Sequence, residues 1–269
     1  MRGRQRQFLR QSIAIILSLA AFCIGVLHNN LHAEEKLSLP PAQVHPLPPS
    51  LAQWTDPKGQ GDYFDRVRAV KAGFLVWSHF PIQVYIAPPP QGTLIKPEVW
   101  QAAIAQSVQD WQPYLPLSIV ASEAGADINI SANPPLNKSG QRVRSAETRY
   151  EIYVSDRKAL AHCVTIYIRP NQSPQYITAA ARHELGHALG IWGHSLTASD
   201  VMYFSQVRNP PSISERDVNT LKRIYQQPTL LGWPVTKILG RAFGNTFGVM
   251  TCRFKNEVQH PDRACLSAM

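Results

Sequence analysis

Residues 183–194 read His-Glu-Leu-Gly-His-Ala-Leu-Gly-Ile-Trp-Gly-His. On a helix, His183 and His187 lie one turn apart, about 6 Å along the axis and within about 40° of one face. Two imidazoles so related can reach a single metal ion. Glu184, one step after His183, then stands beside that ion and not on it, where a carboxylate can take a proton from coordinated water. Gly190 stops the helix, because glycine tolerates the left-handed backbone that turns the chain. His194 can then approach from outside the helix as a third ligand. The helix is predicted to open at Ser173, a good N-cap, with Pro174 at its first position.

The flanking sequence supplies a frame for this helix. A first strand is predicted within 74–87, around Val84-Tyr85-Ile86, and Pro88-Pro89-Pro90 ends it. Pro97 opens a helix whose Trp100, Ala103, Ile104, Val108 and Trp111 form one apolar stripe. Strands follow at 117–121, 127–131, 150–154 and 164–168, with a polar loop over 132–146. The alternation Asp127-Ile128-Asn129-Ile130-Ser131 predicts one buried face. A last helix begins at Ser214. Asp217 sits three residues on, as in a capping box, and Ile213 and Val218 are placed for a hydrophobic staple.

Composition limits what surrounds this frame. The chain has 269 residues, 44% of them hydrophobic, enough for a core in one domain of ordinary size with flanking sequence. The formal net charge is +9, but Arg2, Arg4, Arg6 and Arg10 cluster at the N-terminus and the rest of the excess is scattered. No dense basic run calls for a nucleic-acid partner. The Arg-rich start, the apolar run Ser12–Leu27 and Leu31-His32-Ala33 read as a cleaved signal peptide or an uncleaved N-terminal anchor. The expected location is therefore exported: extracellular, periplasmic or membrane-anchored, with any membrane contact confined to that anchor. Export permits disulfides. Cys252 and Cys265 could pair across a short loop, leaving Cys163 as a buried small hydrophobe.

The run His183 to Gly190, His194-Ser195, Asp200-Val201-Met202-Tyr203 and the helix after Ser214 together resemble the zinc-binding signature of the metzincin metallopeptidases, most closely their matrixin branch. The specific resemblance covers residues 183–225 and the broader order of elements about 75–227. It implies an α/β (α+β) zincin fold: a twisted, five-stranded, mostly parallel sheet, two long helices, and a small C-terminal subdomain with a Met-turn and closing helix. It implies one catalytic Zn²⁺ on His183, His187 and His194, with Met202 as an apolar floor under the imidazoles. It also implies a zinc-bound water activated by Glu184 for hydrolysis of peptide bonds in a protein or peptide substrate, by a monomer. The domains expected are a leader at 1–33, a Pro-rich linker or pro-segment at 34–62, a metallopeptidase domain at 63–227 and a tail of unassigned structure at 228–269.

One feature departs from the family pattern. The third histidine is expected three residues after the glycine, but Gly193 stands there and His194 follows. One residue adds at most ~3.6 Å of chain, which Gly193 can fold into a bulge. The alternative is a site completed by Asp200 or Glu215. Phe204, two residues after Met202, replaces the extra tyrosine ligand of other metzincin branches, so zinc with four ligands is implied. His162 superficially resembles a structural-zinc ligand of the branch but lacks the accompanying His-x-Asp pair, and reads as a strand-end histidine. Asp62 is a weak candidate for a carboxylate latch. A competing reading is an exported zinc-binding module, adhesive or wall-associated, that keeps the fold without catalysis. A metallohydrolase acting on something other than a peptide is a third.

Overall fold

The computed structural model describes residues 35–135, 144–239, 249–251 and 264–266. The N-terminal leader and Cys252 lie outside them, as does the side chain of Cys265, so the Cys252–Cys265 pairing lies outside the described residues. Among the described residues, no helix is long and apolar enough to cross a membrane. In chain order the elements are β1 (Glu35–Ser38), α1 (Pro49–Gln53), β2 (Ile82–Ile86), α2 (Pro97–Trp111), β3 (Leu117–Val120), β4 (Ile128–Ser131), β5 (Ala146–Val154), β6 (Leu160–Ile168), α3 (Pro174–Ala188), α4 (Glu215–Tyr225), β7 (Thr236–Leu239), β8 (Val249–Thr251) and β9 (Ala264–Leu266). β1 and β7 pair antiparallel as a small unit of their own. The main unit spans Leu39–Val235 and includes the C-terminal strands.

The main unit is an α/β fold on a mostly parallel sheet. Its strands run in the order β3-β2-β4-β6-β5, all parallel except β5, which is antiparallel to β6. The two short C-terminal strands extend the β5 edge: β9 pairs with Ile152–Val154 and β8 with β9. The apolar stripe of α2 is buried as its spacing requires, with Trp100, Ile104, Val108 and Trp111 fully enclosed. Both indole N–H groups find carbonyls: Trp100 Nε1 donates to Ala87 O and Trp111 Nε1 to Arg182 O, each at 2.9 Å. The second bond ties α2 to α3 just before His183.

Within the sheet, the structure departs from the sequence reading at two places. Asn129 is buried, not on a solvent face, because β4 is an inner strand with both faces covered; its Nδ2 donates to Glu123 Oε1. β5 and β6 are each nine residues long and paired throughout, so β5 starts at Ala146, within the sequence read as a loop. Its polar first half, Glu147-Thr148-Arg149, suits a sheet edge and gives no apolar alternation to detect.

The folded unit is also wider than 63–227. Residues 39–62 pack on it through sparse anchors: Leu51 is fully buried, Ser50 Oγ donates to Tyr114 O at 2.6 Å, and Trp54 Nε1 donates to Asn219 Oδ1 at 2.9 Å. Anchors so far apart, set among prolines, leave no period in the sequence. After α4, Leu231 and Val235 are buried in a second cluster with Ala72, Leu75 and Leu160, and Thr229 is buried with its Oγ1 donating to Ala72 O. Thr229 exchanges main-chain hydrogen bonds with Gln43, at 3.0 and 2.9 Å.

Cys163 is buried and, among the described residues, forms no disulfide. Its neighbour His162 lies within β6, 3% exposed, with its ring centroid 3.9 Å from that of Trp77. Among the described residues its Nε2 has no hydrogen-bond partner. Burial drives its pKa down to about 3; Asp127 opposes this and His79 adds to it. An unfolded histidine titrates near 6.5, so between about 6.5 and 3 the unfolded chain takes a proton that the fold refuses. This contribution to stability is intact above about pH 6.5 and is lost as the pH falls toward 3. His162→Phe, which keeps an aromatic ring beside Trp77, is expected to lose less melting temperature than the parent between pH 7 and 4.5. Equal losses in both proteins would show that His162 does not set the acid slope.

Candidate metal centre

The centre is built on the C-terminal half of α3. Ser173 caps that helix, its side chain accepting from Tyr176 N, and Pro174 follows at the first position. Gly186 faces the core, and a Cβ there would lie 2.2 Å from Met202 Sδ and 3.3 Å from Trp111. Its lack of a side chain lets the Met202 thioether lie directly against the helix between the two histidine turns. At Gly190 the chain turns with φ +127°, and a Cβ there would lie 2.6 Å from Leu75 O. Glycine is required on both counts.

Two of the three imidazoles are aimed by main-chain carbonyls. His183 Nδ1 meets Val201 O at 2.8 Å and His187 Nδ1 meets Ile191 O at 2.7 Å. A carbonyl only accepts, so each Nδ1 carries the proton and each Nε2 presents a lone pair. Ring centroids are 4.9 Å apart for His183–His187, 5.3 Å for His183–His194 and 4.8 Å for His187–His194. One ring nitrogen from each lies within 4.8 Å of the others, close enough to hold one metal ion. Among the described residues this is the one group of three or more His, Cys, Asp or Glu so placed. Burial lowers the pKa of His187 well below the ordinary histidine range, helped by its two partners, and lowers that of His194 to about 4. Both are neutral at pH 7, the form that ligates.

The extra residue before His194 is taken up locally. Trp192 N donates to Gly190 O at 2.8 Å and Gly193 N to Ile191 O at 2.9 Å, two successive three-residue turns. His194 thereby joins His183 and His187, and the carboxylates considered as substitutes stand elsewhere. Asp200 is fully buried and accepts from Ser195 Oγ at 2.5 Å, Ser214 Oγ at 2.7 Å and Arg216 Nε at 3.1 Å. Glu215 pairs with Lys58 at 3.2 Å. Asp62 pairs with Arg223 at 3.0 Å and accepts from Phe64 N at 2.9 Å, so it is not joined to the three histidines. His162 is likewise not part of the group.

Glu184 is 8% exposed, and its Oε2 accepts from Thr148 Oγ1 at 2.6 Å. Burial pushes its carboxyl above the ordinary glutamate range, opposed by the neighbouring His183 ring and by the Thr148 hydroxyl. On the β5 side of the site, the Trp192 ring is 5.7 Å from that of His187 and 5.0 Å edge-on from that of Tyr150. Leu196 and Phe204, near His194 and Met202 in sequence, are exposed apolar side chains.

Sequence reasoning missed two residues that shape the site. Thr148 fell between the loop read at 132–146 and the strand read at 150–154, and nothing in the sequence marks it. Asp217 was read as a cap, and the capping box with Ser214 is present. The same carboxylate also accepts from Val201 N at 2.9 Å, Met202 N at 3.3 Å and Tyr63 Oη at 2.6 Å. It therefore holds the turn that carries both Met202 and the carbonyl on His183. No protein-family model matches the chain, and no curated protein was found to match it.

Proposed function

We propose that the chain is a zinc-dependent endopeptidase of metzincin type, closest to the matrixin branch, acting on protein or peptide substrates outside the cytoplasm. The observation that carries this reading is the meeting of three imidazoles beside one buried carboxylate, Glu184, hydrogen-bonded to Thr148. The donor set fits zinc, which favours nitrogen ligands and in catalytic sites commonly takes three protein ligands with one position open. Zinc held there supplies a Lewis acid that polarises a carbonyl and acidifies water. Glu184 accepts a proton from the attacking water and returns it to the departing amine. A raised pKa makes the carboxylate a stronger base for that task. Thr148 Oγ1 keeps the carboxylate in one orientation throughout.

Substrate placement follows from the sheet. Among the described residues, the outer edge of Ala146–Tyr150 in β5 has no strand partner, whereas Ile152–Val154 is covered by β9. An extended peptide can add to that edge through main-chain hydrogen bonds, with Thr148 bringing it beside Glu184. The Met202 floor, the closing helix α4 and the sheet order are consistent with the same reading. Digestion of a peptide library by the full chain tests it. Internal cleavage, abolished by a chelator and restored by stoichiometric Zn²⁺, is expected. A zinc-replete protein that cleaves no peptide would favour the exported, non-catalytic zinc-binding module instead.

A further inference from the structure

His183 and His187 are each oriented by a ring hydrogen bond to a carbonyl, but among the described residues His194 has none. Its position depends on the residues either side of it. On one side Ser195 is fixed to the Met202 turn: its N donates to Met202 O at 2.8 Å and its Oγ to Asp200 at 2.5 Å. On the other side stands Gly193. A Cβ at Gly193 would lie 2.3 Å from Arg66 O and 3.0 Å from Val67 Cα, so the N-terminal segment crosses directly over this residue. Arg68 N also donates to Trp192 O at 3.1 Å.

That crossing segment is itself fastened to α4. Tyr63 is 3% exposed; its N donates to Thr220 Oγ1 at 3.1 Å and its hydroxyl to Asp217 at 2.6 Å. Arg216 reaches from α4 to Gln60 O at 3.0 Å while its Nε holds Asp200 at 3.1 Å. Asp217 and Asp200, which hold the two sides of the Met202 turn, are thus also bound from the N-terminal segment and from Arg216. Gly193 shows no positive φ, so its need to be glycine comes from the crossing segment and not from its own backbone.

We infer that residues 60–68 form a clamp that positions His194 for the metal, with the Arg66 carbonyl seated on Gly193 as its contact point and Tyr63–Asp217 as its fastening. The inference rests on the metal reading of the three histidines and adds to it a role for a segment far away in sequence. It also gives a physical reason for a glycine at the position where a histidine was expected: a side chain there would push the clamp off. A ligand lacking an orienting hydrogen bond of its own is held by the backbone on both flanks, so loosening one flank changes the metal geometry before it unfolds the domain.

The test measures Zn²⁺ and Co²⁺ affinity of folded protein, and the visible absorption of the Co²⁺ form, in Gly193→Ala, Tyr63→Phe and His187→Ala. Gly193→Ala is expected to weaken both affinities on the order of 10- to 100-fold, as losing an outer-shell support does, and to shift the Co²⁺ bands. Tyr63→Phe should move both in the same direction by a few-fold. A purely structural contact would lower the melting temperature of the apo protein and leave the spectrum and affinity of the folded fraction unchanged; that result overturns the clamp. Should Gly193→Ala not fold, Tyr63→Phe with parental affinity and spectrum overturns it as well. His187→Ala separates the two readings: metal bound as in the parent by this variant would overturn the metal centre itself.

Discussion

Glu184→Gln is expected to keep its metal and lose peptide hydrolysis by at least about 10²-fold. Glutamine has the same shape, and its amide oxygen can still accept from Thr148 Oγ1 where Glu184 Oε2 does at 2.6 Å. It cannot accept a proton at neutral pH, so the step that needs a base fails while the packing survives. Burial raises the Glu184 pKa, so a neutral amide there avoids the cost of burying a charge. The variant should therefore melt no lower than the parent. The measurement is kcat/KM on the best library peptide, with metal content of both proteins determined alongside. A metal-replete variant with parental turnover removes Glu184 from the chemistry.

Gly190→Ala is the second large effect. The backbone at this position has φ +127°, outside the region open to alanine, and such strain costs about 1–3 kcal/mol. The added methyl would also stand 2.6 Å from Leu75 O, a main-chain atom that cannot swing aside. The next residue, Ile191, supplies the carbonyl that aims His187. Stability should thus fall by roughly 3 kcal/mol or more, a melting temperature lower by about 10 °C, and metal affinity should fall with it. Gly92→Ala is the matched control. Its φ is +83° but a Cβ there meets nothing within 4 Å, so backbone strain acts alone. Equal melting temperatures for the two variants would show that the Leu75 contact carries no weight.

The parts that could be read in advance share a physical property: they are local. The stripe on α2, the Ser173 cap, the capping box at Ser214 and the spacing of His183, Glu184 and His187 are all set within a few turns of one helix. The five main strands were likewise legible as segments, whereas their mostly parallel order came from the family resemblance and the two short C-terminal strands were not read at all. What escaped depends on partners more than a hundred residues away or on a polar sheet edge. Thr148 sits in such an edge strand. Tyr63 meets Asp217 across 154 positions. Leu51 and Trp54 anchor a Pro-rich stretch with too few apolar residues to make a pattern. Asp217 shows the limit most clearly, since its capping role is written in the sequence and its hold on the Met202 turn is not.

The packing of residues 39–62 has a practical consequence for where the domain can be cut. A fragment starting at residue 63 would look reasonable from the sequence, because the prolines before it suggest dispensable chain. It would bare the apolar hollow filled by Leu51, which is fully buried. It would strip partners from the polar row on α4, where Asn219 holds Trp54 and Asp56 and Lys222 holds the carbonyls of Ala52 and Trp54. An exposed greasy hollow beside unpaired amides and charges favours self-association over folding. The natural boundary for a soluble recombinant fragment is therefore Leu39, where the chain enters the main unit.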